Sequence, residues 1–217
     1  MIPKVIHYCW FGGSELPEYV ERCIQSWKKF CPDYQIKRWD ESNYNFEKYP
    51  FCREAYEKKK WAFVSDVARL DIVYSEGGIY LDTDVELIKS LDDLLIEHAF
   101  MGFERGRLVA TGLGFGGEKG NPIIKANLES YLNRQFTNED ETLDLTPCPV
   151  ITTDVLEIFG LKRIDQTQDL GDVKIFSSDY FCPMLLSDGT AEIRKNTYSI
   201  HCLLYTSPSP RDAHESR

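Results

Sequence analysis

The chain has 217 residues and a formal net charge of −10, from 35 acidic and 25 basic residues. This length suits one α/β domain with a sizeable hydrophobic core. The acidic balance argues against nucleic acid as a partner, because binding to a phosphate backbone needs a basic surface.

Two further features of the sequence indicate the cellular compartment. The N-terminus lacks the apolar run of a signal peptide, and no apolar stretch is long enough to span a bilayer. The seven cysteines are scattered without a C-x-x-C pair, which favours reduced thiols over a disulfide framework or a structural zinc site. We therefore expect a cytoplasmic protein with at most peripheral contact with the inner face of the membrane.

The first 40 residues predict a strand, a helix and a second strand. Residues 5–10 form an apolar and aromatic run that is typical of a buried strand. Pro17 marks the start of a helix whose apolar side chains recur at helical spacing as far as Phe30, and residues 34–39 predict the next strand. This order is the beginning of a doubly wound α/β sheet.

The segment that follows the second strand predicts a long helix and a short strand that ends in two carboxylates. The helix covers Trp61–Glu76 and is closed by Gly77, and the strand leads into Asp82 and Asp84. Residues two apart on an extended chain share a face, so we expect Tyr80, Asp82 and Asp84 to point the same way. Neighbouring carboxylates are costly without a cation, which indicates a divalent metal. A solvated strand exit is the competing interpretation.

Two other chemistries of the D-x-D pattern fit the surrounding sequence poorly. A calcium EF-hand needs a glycine at the sixth position of its loop, where this chain has Leu87. A phosphatase with an aspartyl nucleophile resembles this pattern more closely, but Gly-Thr should follow its motif, and Val85-Glu86 follows here.

The rest of the chain predicts shorter elements. A short helix is expected at residues 91–96 and a strand at 99–104. The glycine-rich segment 111–117 lacks the Lys-Ser/Thr of a P-loop, and we interpret it as a flexible strand and turn at the edge of the site. Helices after Asn121 and at 149–159, and strands at 173–176 and 198–200, complete the prediction.

Three positions outside the D-x-D pair could contact a ligand. Asp66 and Arg69 lie three apart on one helix face, either as an ordinary ion pair or as groups that bind sugar hydroxyls and a diphosphate. Trp10 is either a core aromatic or a surface on which a nucleotide base stacks. His7 is interpreted as a hydrogen-bonded strand histidine without a functional role.

Together these residues resemble a known family. The opening segment IPKVIHYCW is similar to the I-P-K-x-I-H-x-x-W opening of family 32 glycosyltransferases, which include yeast mannosyltransferases and bacterial capsular polysaccharide enzymes. The block from Ser65 to Asp84 resembles their sugar-binding D-x-D region, and its spacing is similar to that of the large clostridial glucosylating toxins. The resemblance covers almost all of residues 2–201.

The resemblance implies a single-domain α/β fold of the GT-A type, with a Rossmann-like sheet flanked by helices. It implies a UDP- or GDP-linked sugar as donor, a saccharide or lipid-linked acceptor, retention of configuration, and a role in capsule or other surface polysaccharide synthesis. Substrate contacts would come from four residues, namely Trp10, Asp66, Arg69 and Tyr80.

For catalysis the resemblance implies Asp82 and Asp84, which would act with Mn²⁺ or Mg²⁺. Asp84 and Asp82 would hold this metal, and His201 would be the third ligand. Family members often have a second histidine and a Trp-containing segment at this point, whereas this chain has Cys202. We therefore expect a glycosyltransferase domain at 1–202 that is truncated at its C-terminus, and a disordered or non-native tail at 203–217. A nucleotide-sugar binding protein without catalytic activity is the alternative.

Overall fold

The computed structural model describes residues 1–184, 186 and 190–202. The predicted tail at 203–217 lies outside these residues. Five α-helices are present: α1 (Glu18–Phe30), α2 (Pro50–Glu57), α3 (Trp61–Glu76), α4 (Pro122–Glu129) and α5 (Cys148–Ile158). The strands are β1 (Val5–Cys9), β2 (Gln35–Trp39), β3 (Gly78–Tyr80), β4 (Val85–Leu87), β5 (Ala99–Gly102), β6 (Phe115–Gly117), β7 (Gln168–Asp169), β8 (Lys174–Phe176) and β9 (Ser199–His201).

The main sheet has seven strands in the order β2-β1-β3-β6-β5-β8-β7. β1 runs parallel to both β2 and β3, while β6 is antiparallel to β3 and β5. β8 is parallel to β5. Strands β1, β3, β5 and β8 therefore run in one direction, and their carboxyl ends meet at one edge of the sheet, which is where open α/β sheets place their ligands.

Helix α3 is the central helix of the fold, and its bounds match the prediction. It is buried on nearly all sides, so three of its charged residues, Asp66, Arg69 and Asp71, are also buried. Charged groups in such a position need partners, because an unpaired buried charge is strongly destabilising. Asp71 finds its partners in Lys48 and Tyr49, and the other two take part in the site described below.

The turn from α3 into β3 depends on two glycines. Gly77 has φ +73°, and Gly78 has φ +109°. A Cβ at Gly77 would lie 2.9 Å from the Lys119 backbone nitrogen, and one at Gly78 would lie 2.8 Å from the His7 ring. The predicted role of Gly77 as the residue that ends α3 is confirmed, and Gly78 allows β3 to pair closely with β1.

Helix α1 packs against β4 on the other side of the sheet. The Trp27 indole is fully buried, and its Nε1 donates to the Val85 carbonyl over 2.7 Å. The hydroxyl of Ser26 accepts from the Leu87 amide over 2.9 Å. These two bonds fix the strand that follows the D-x-D segment. β4 pairs only with β9 among the described strands, in a separate antiparallel ribbon.

Several short elements differ from the sequence-based prediction. The helix expected at 91–96 is a single 3-10 turn, Asp92–Leu94. The glycine-rich segment forms a 3-10 turn at Thr111–Leu113 and then β6, which is a fully buried strand inside the sheet. Strands β4 and β7 were not predicted. None of the helices in the described part of the chain combines the length and apolar character needed to cross a bilayer.

Candidate functional site

The D-x-D segment forms a turn at the carboxyl end of β3. The Leu81 amide still bonds to the His7 carbonyl at 3.1 Å, so the chain is extended up to this point. The Val85 amide then bonds to the Asp82 carbonyl at 3.1 Å and closes a turn through Thr83 and Asp84. The expectation that Tyr80, Asp82 and Asp84 share one face assumed an extended chain. It is wrong for Asp84, because the turn separates it from the other two.

Tyr80 and Asp82 do lie together, and they meet the charged pair of α3. The Tyr80 hydroxyl donates to Asp82 Oδ1 over 3.1 Å. Asp82 Oδ2 lies 3.4 Å from Arg69 Nη1, and Asp66 Oδ1 lies 2.9 Å from Arg69 Nη2. The guanidinium carbon is 5.1 Å from the centroid of the Tyr80 ring. We call Asp66, Arg69, Tyr80 and Asp82 the arginine network.

The neighbouring carboxylates keep Arg69 charged. Burial acts to lower the pKa of Arg69, but the carboxylates of Asp82 and Asp66 outweigh it and raise that pKa well above its ordinary value. Burial raises the pKa of Tyr80, so its hydroxyl stays protonated and can donate. The Arg69 side chain is only 4% exposed. Its geometry is therefore fixed before any ligand arrives, which is the preorganisation that binding of an anionic group requires.

Gly112 lies against the network, although no pattern in the sequence singles it out. A Cβ at this position would lie 2.5 Å from Asp82 Oδ2 and 3.0 Å from Arg69 Nη1. Only glycine lets the 3-10 turn Thr111–Leu113 approach the two charged groups this closely. The glycine-rich pattern of residues 111–117 was the available signal, and its predicted place beside the site fits this contact.

Asp84 meets His201, which is far away in the sequence. β4 and β9 pair with Val85 opposite His201, and the Cys202 amide donates to the Asp84 carbonyl over 2.7 Å. His201 Nε2 lies 3.0 Å from Asp84 Oδ2. The Asp84 side chain is fully buried, whereas the His201 ring is 22% exposed. The structure thus brings together two of the three predicted metal ligands.

The three predicted ligands do not form one cluster. Asp82 contacts the arginine network, while Asp84 contacts His201. Within residues 1–184, 186 and 190–202, no group of three or more His, Cys, Asp or Glu side chains is arranged to hold a metal ion. A carboxylate beside an imidazole is nevertheless a donor pair that suits Mn²⁺, so Asp84 and His201 fit the predicted metal. The metal assignment stays a prediction.

The remaining predicted residues lie on β1 or directly after it. Trp10 is partly buried, and its Nε1 donates to the Ser14 carbonyl over 2.8 Å. His7 is fully buried between two partners: the Trp39 indole donates to Nδ1 over 3.1 Å, and Nε2 lies 2.9 Å from the Gly77 carbonyl. Burial lowers the pKa of His7 and keeps it neutral. The interpretation of His7 as a hydrogen-bonded strand histidine is confirmed.

Glu104 is a further ionisable group near the sheet edge where the carboxyl ends of β3 and β5 meet. It follows β5, whose carboxyl end lies at the same sheet edge as that of β3. Burial raises the pKa of Glu104, and the charge of His201 acts in the opposite direction. Glu104 could not be selected from the sequence, because its proximity to His201 depends on the pairing of β4 with β9.

Part of the chain is similar to known glycosyltransferases. Residues 17–101 match the family described as glycosyltransferase sugar-binding region containing DXD motif. Over 122 residues the chain is 35% identical to inositol phosphoceramide mannosyltransferase 3 of Schizosaccharomyces pombe, a match that covers 48% of this chain and 34% of the relative. The chain spans about a third of the length of the curated relatives that it matches.

Two solved structures share the fold. PaToxG glycosyltransferase superposes with a TM-score of 0.55 at 20% identity, over 72% of this chain and 69% of that one. A glycosyltransferase involved in the glycosylation of the major capsid of PBCV-1 superposes with a TM-score of 0.50 at 12% identity, over 98% of both chains. These likenesses confirm the predicted α/β fold of the GT-A type. Residues 17–101, the part of the chain that matches the family with the DXD sugar-binding region, contain the arginine network and Asp84.

Proposed function

We propose that this protein transfers a sugar from a nucleoside diphosphate sugar to an acceptor, and that the donor binds at the arginine network. One observation carries the proposal: a buried arginine is held by two carboxylates and a tyrosine at the carboxyl end of β3, within the matched family region. An ordinary surface ion pair between residues three apart on a helix would be exposed and would lack the second carboxylate.

Each member of the network has a role that follows from its chemistry. Arg69 offers a fixed planar donor array for an oxygen of the diphosphate or of the sugar. Asp66 and Asp82 are acceptors for sugar hydroxyls, and Tyr80 holds the carboxylate of Asp82 in place. Trp10, which directly follows β1, the neighbour of β3, is the proposed surface on which the base stacks, since this residue is only partly buried.

Asp84 and His201 are the residues that would hold Mn²⁺ or Mg²⁺. When bound, such a metal neutralises the charge that develops on the leaving diphosphate. Two contacts position these ligands. The Trp27 indole donates a hydrogen bond to the carbonyl of Val85, which follows Asp84, and β9 pairs with β4 so that His201 lies opposite Val85. Asp82 joins the metal site only if its carboxylate leaves Arg69, so we assign it mainly to the donor sugar.

The finer assignments are part of the same proposal. We infer a retaining hexosyltransferase that uses a UDP- or GDP-linked donor and works in the cytoplasm or at the inner face of the membrane. A relative is named for mannosyl transfer to inositol phosphoceramide, so mannose is the first sugar to test and a lipid-linked acceptor is favoured over a free saccharide. A role in capsule or other surface polysaccharide synthesis remains compatible with either acceptor.

A donor-hydrolysis assay tests the proposal. The purified chain is incubated with a panel of UDP- and GDP-sugars with Mn²⁺ or with a chelator, and the release of nucleoside diphosphate is followed. We expect release from one donor class, and we expect the chelator to suppress it. Binding of a donor without release would favour the nucleotide-sugar binding protein without activity. If no donor bound or was hydrolysed, the proposed function would be wrong.

A further inference from the structure

Two cysteines that are far apart in the sequence meet where α1 packs against the ribbon of β4 and β9. Cys23 is on α1, and Cys202 directly follows β9. Their sulfur atoms lie 3.9 Å apart, although the two residues are 179 positions apart in the chain. All seven cysteines are free thiols, and within residues 1–184, 186 and 190–202 no other two thiols form a hydrogen bond with each other. The fold therefore selects one pair of thiols.

This thiol pair lines a small cavity that solvent can enter. The cavity has a volume of about 130 Å³, and its lining consists of Tyr19, Arg22, Cys23, Glu86 and Cys202. Arg22 and Glu86 are exposed, and Cys202 is only partly buried. A water molecule takes up about 30 Å³ in the liquid, so the cavity has room for a small oxidant such as hydrogen peroxide.

The contacts of Cys202 connect this pair to the predicted metal ligands. Cys202 directly follows His201, and the Cys202 amide donates to the Asp84 carbonyl over 2.7 Å. His201 Nε2 in turn lies 3.0 Å from Asp84 Oδ2. A covalent bond between Cys202 and Cys23 would therefore anchor the end of β9, and with it His201, to α1.

We propose that Cys23 and Cys202 are a redox modification site, at which hydrogen peroxide converts the two thiols into a disulfide and a dithiol reductant restores them. One sulfur attacks a peroxide oxygen, the O–O bond breaks, one water leaves, and a sulfenic acid remains on that cysteine. The second sulfur then attacks the first, the S–S bond forms, and the sulfenic oxygen leaves as a second water. Hydrogen peroxide thus takes up the two electrons and two protons that the thiols lose.

The geometry asks for a small movement. To reach the length of a disulfide bond, the two sulfur atoms must approach each other by a further ~1.9 Å. The site does not depend on the proposed glycosyl transfer, because the two thiols meet through the packing of α1 against β4 and β9.

Peptide mapping tests the crosslink. The full chain is reduced, freed of reductant, exposed to hydrogen peroxide, alkylated and digested with trypsin under non-reducing conditions. Cleavage after lysine and arginine places Cys23 in residues 23–28 and Cys202 in residues 196–211, apart from the other five cysteines. We expect these two peptides to be crosslinked in the oxidised native chain and to separate after treatment with dithiothreitol.

Serine variants show whether the crosslink is specific. Cys31→Ser is the matched control for Cys23→Ser, because Cys31 is also buried and lies at the end of the same helix. The crosslinked peptides should be absent from Cys23→Ser and should form in Cys31→Ser as in the native chain. Cys202→Ser, at a partly buried position, should behave as Cys23→Ser does.

Hydrogen–deuterium exchange measures the effect on β9. Oxidation should slow exchange in the segment that contains β9 in the native chain and should leave it unchanged in Cys23→Ser. The proposal would be overturned if peroxide left both thiols free, which would make the contact a hydrogen-bonded thiol pair only. Pairing of either cysteine with a different thiol would overturn it as well. Unchanged exchange in the crosslinked native chain would refute the anchoring of His201.

Discussion

Replacing Gly112 with alanine tests whether the turn beside the arginine network sets its geometry. The backbone at Gly112 does not require glycine for its φ angle, so the substitution adds a methyl group without backbone strain. The new Cβ would lie 2.5 Å from Asp82 Oδ2, where ordinary contact begins at 3.4 Å. The carboxylate must therefore withdraw by about 0.9 Å or the turn must move.

The substitution is expected to weaken donor binding more than it lowers the free energy of unfolding. A displacement of about 1 Å in a positioned catalytic group can lower kcat/KM by about 100-fold. Overpacking by one methyl group typically costs about 1–3 kcal/mol of the free energy of unfolding. We therefore expect Gly112→Ala to remain folded, to bind the nucleotide sugar at least about tenfold more weakly, and to lose most of its turnover.

Gly117→Ala is the matched control. Its Cβ would clash with the terminal methyl group of Ile124 in the core, and the other atoms close to it belong to Ala99 and His98 rather than to the network. Both variants should lose a similar amount of stability in urea unfolding, and only Gly112→Ala should lose donor affinity in calorimetry. Native donor affinity in Gly112→Ala, or an equal loss in the two variants, would refute the assigned role of the network geometry.

Two further predictions concern ionisable groups. Asp84→Asn should abolish Mn²⁺-stimulated donor binding and turnover, because one charged ligand is lost; retention of full Mn²⁺ stimulation in a hydrolysis assay would remove Asp84 from the metal site. His7 contributes stability as the neutral form, because burial lowers its pKa in the folded chain below the ordinary value of 6.5. This contribution is present above about pH 6.5 and is lost as the pH falls through the lowered folded pKa. Urea unfolding of His7→Gln should show a weaker loss of stability in acid than the native chain, and equal slopes would contradict the assignment.

Local patterns in the sequence predicted the elements that carry most of the site. The bounds of helix α3 match the prediction because they depend on local features of the sequence. These are the helical spacing of its apolar residues and Gly77, which ends the helix. Asp66 and Arg69 were expected on one face, and they form an ion pair at 2.9 Å. Helical spacing alone decides that contact, so no knowledge of the tertiary fold was needed.

Contacts between segments that are far apart in the chain could not be predicted from the sequence. The Asp84 and His201 side chains meet because β4 pairs with β9, and β4 was too short to be recognised as a strand. The resemblance to a family suggested His201, but only the structure provides its contact with Asp84. The turn at Thr83 was missed for a different reason: a local hydrogen bond from the Val85 amide to the Asp82 carbonyl closes it, whereas the prediction assumed an extended chain.

Gly112 shows the same limit. Glycine-rich segments have many possible roles, and the closeness of Gly112 to Asp82 depends on how β6 enters the sheet. No periodicity in the sequence contains that information.

The most direct test of the donor site is a thermal-shift screen of nucleotide sugars, with Mn²⁺ and without it, on the native chain and on Asp82→Asn. This substitution keeps the shape of the side chain but removes the charge that faces Arg69 at 3.4 Å. Asp93→Asn, at an exposed position in the turn Asp92–Leu94, is the control. We predict that one class of nucleoside diphosphate sugar raises the Tm of the native chain and of Asp93→Asn, and that the shift is lost in Asp82→Asn. An equal shift in all three proteins, or no shift with any donor, would contradict a donor site at the arginine network.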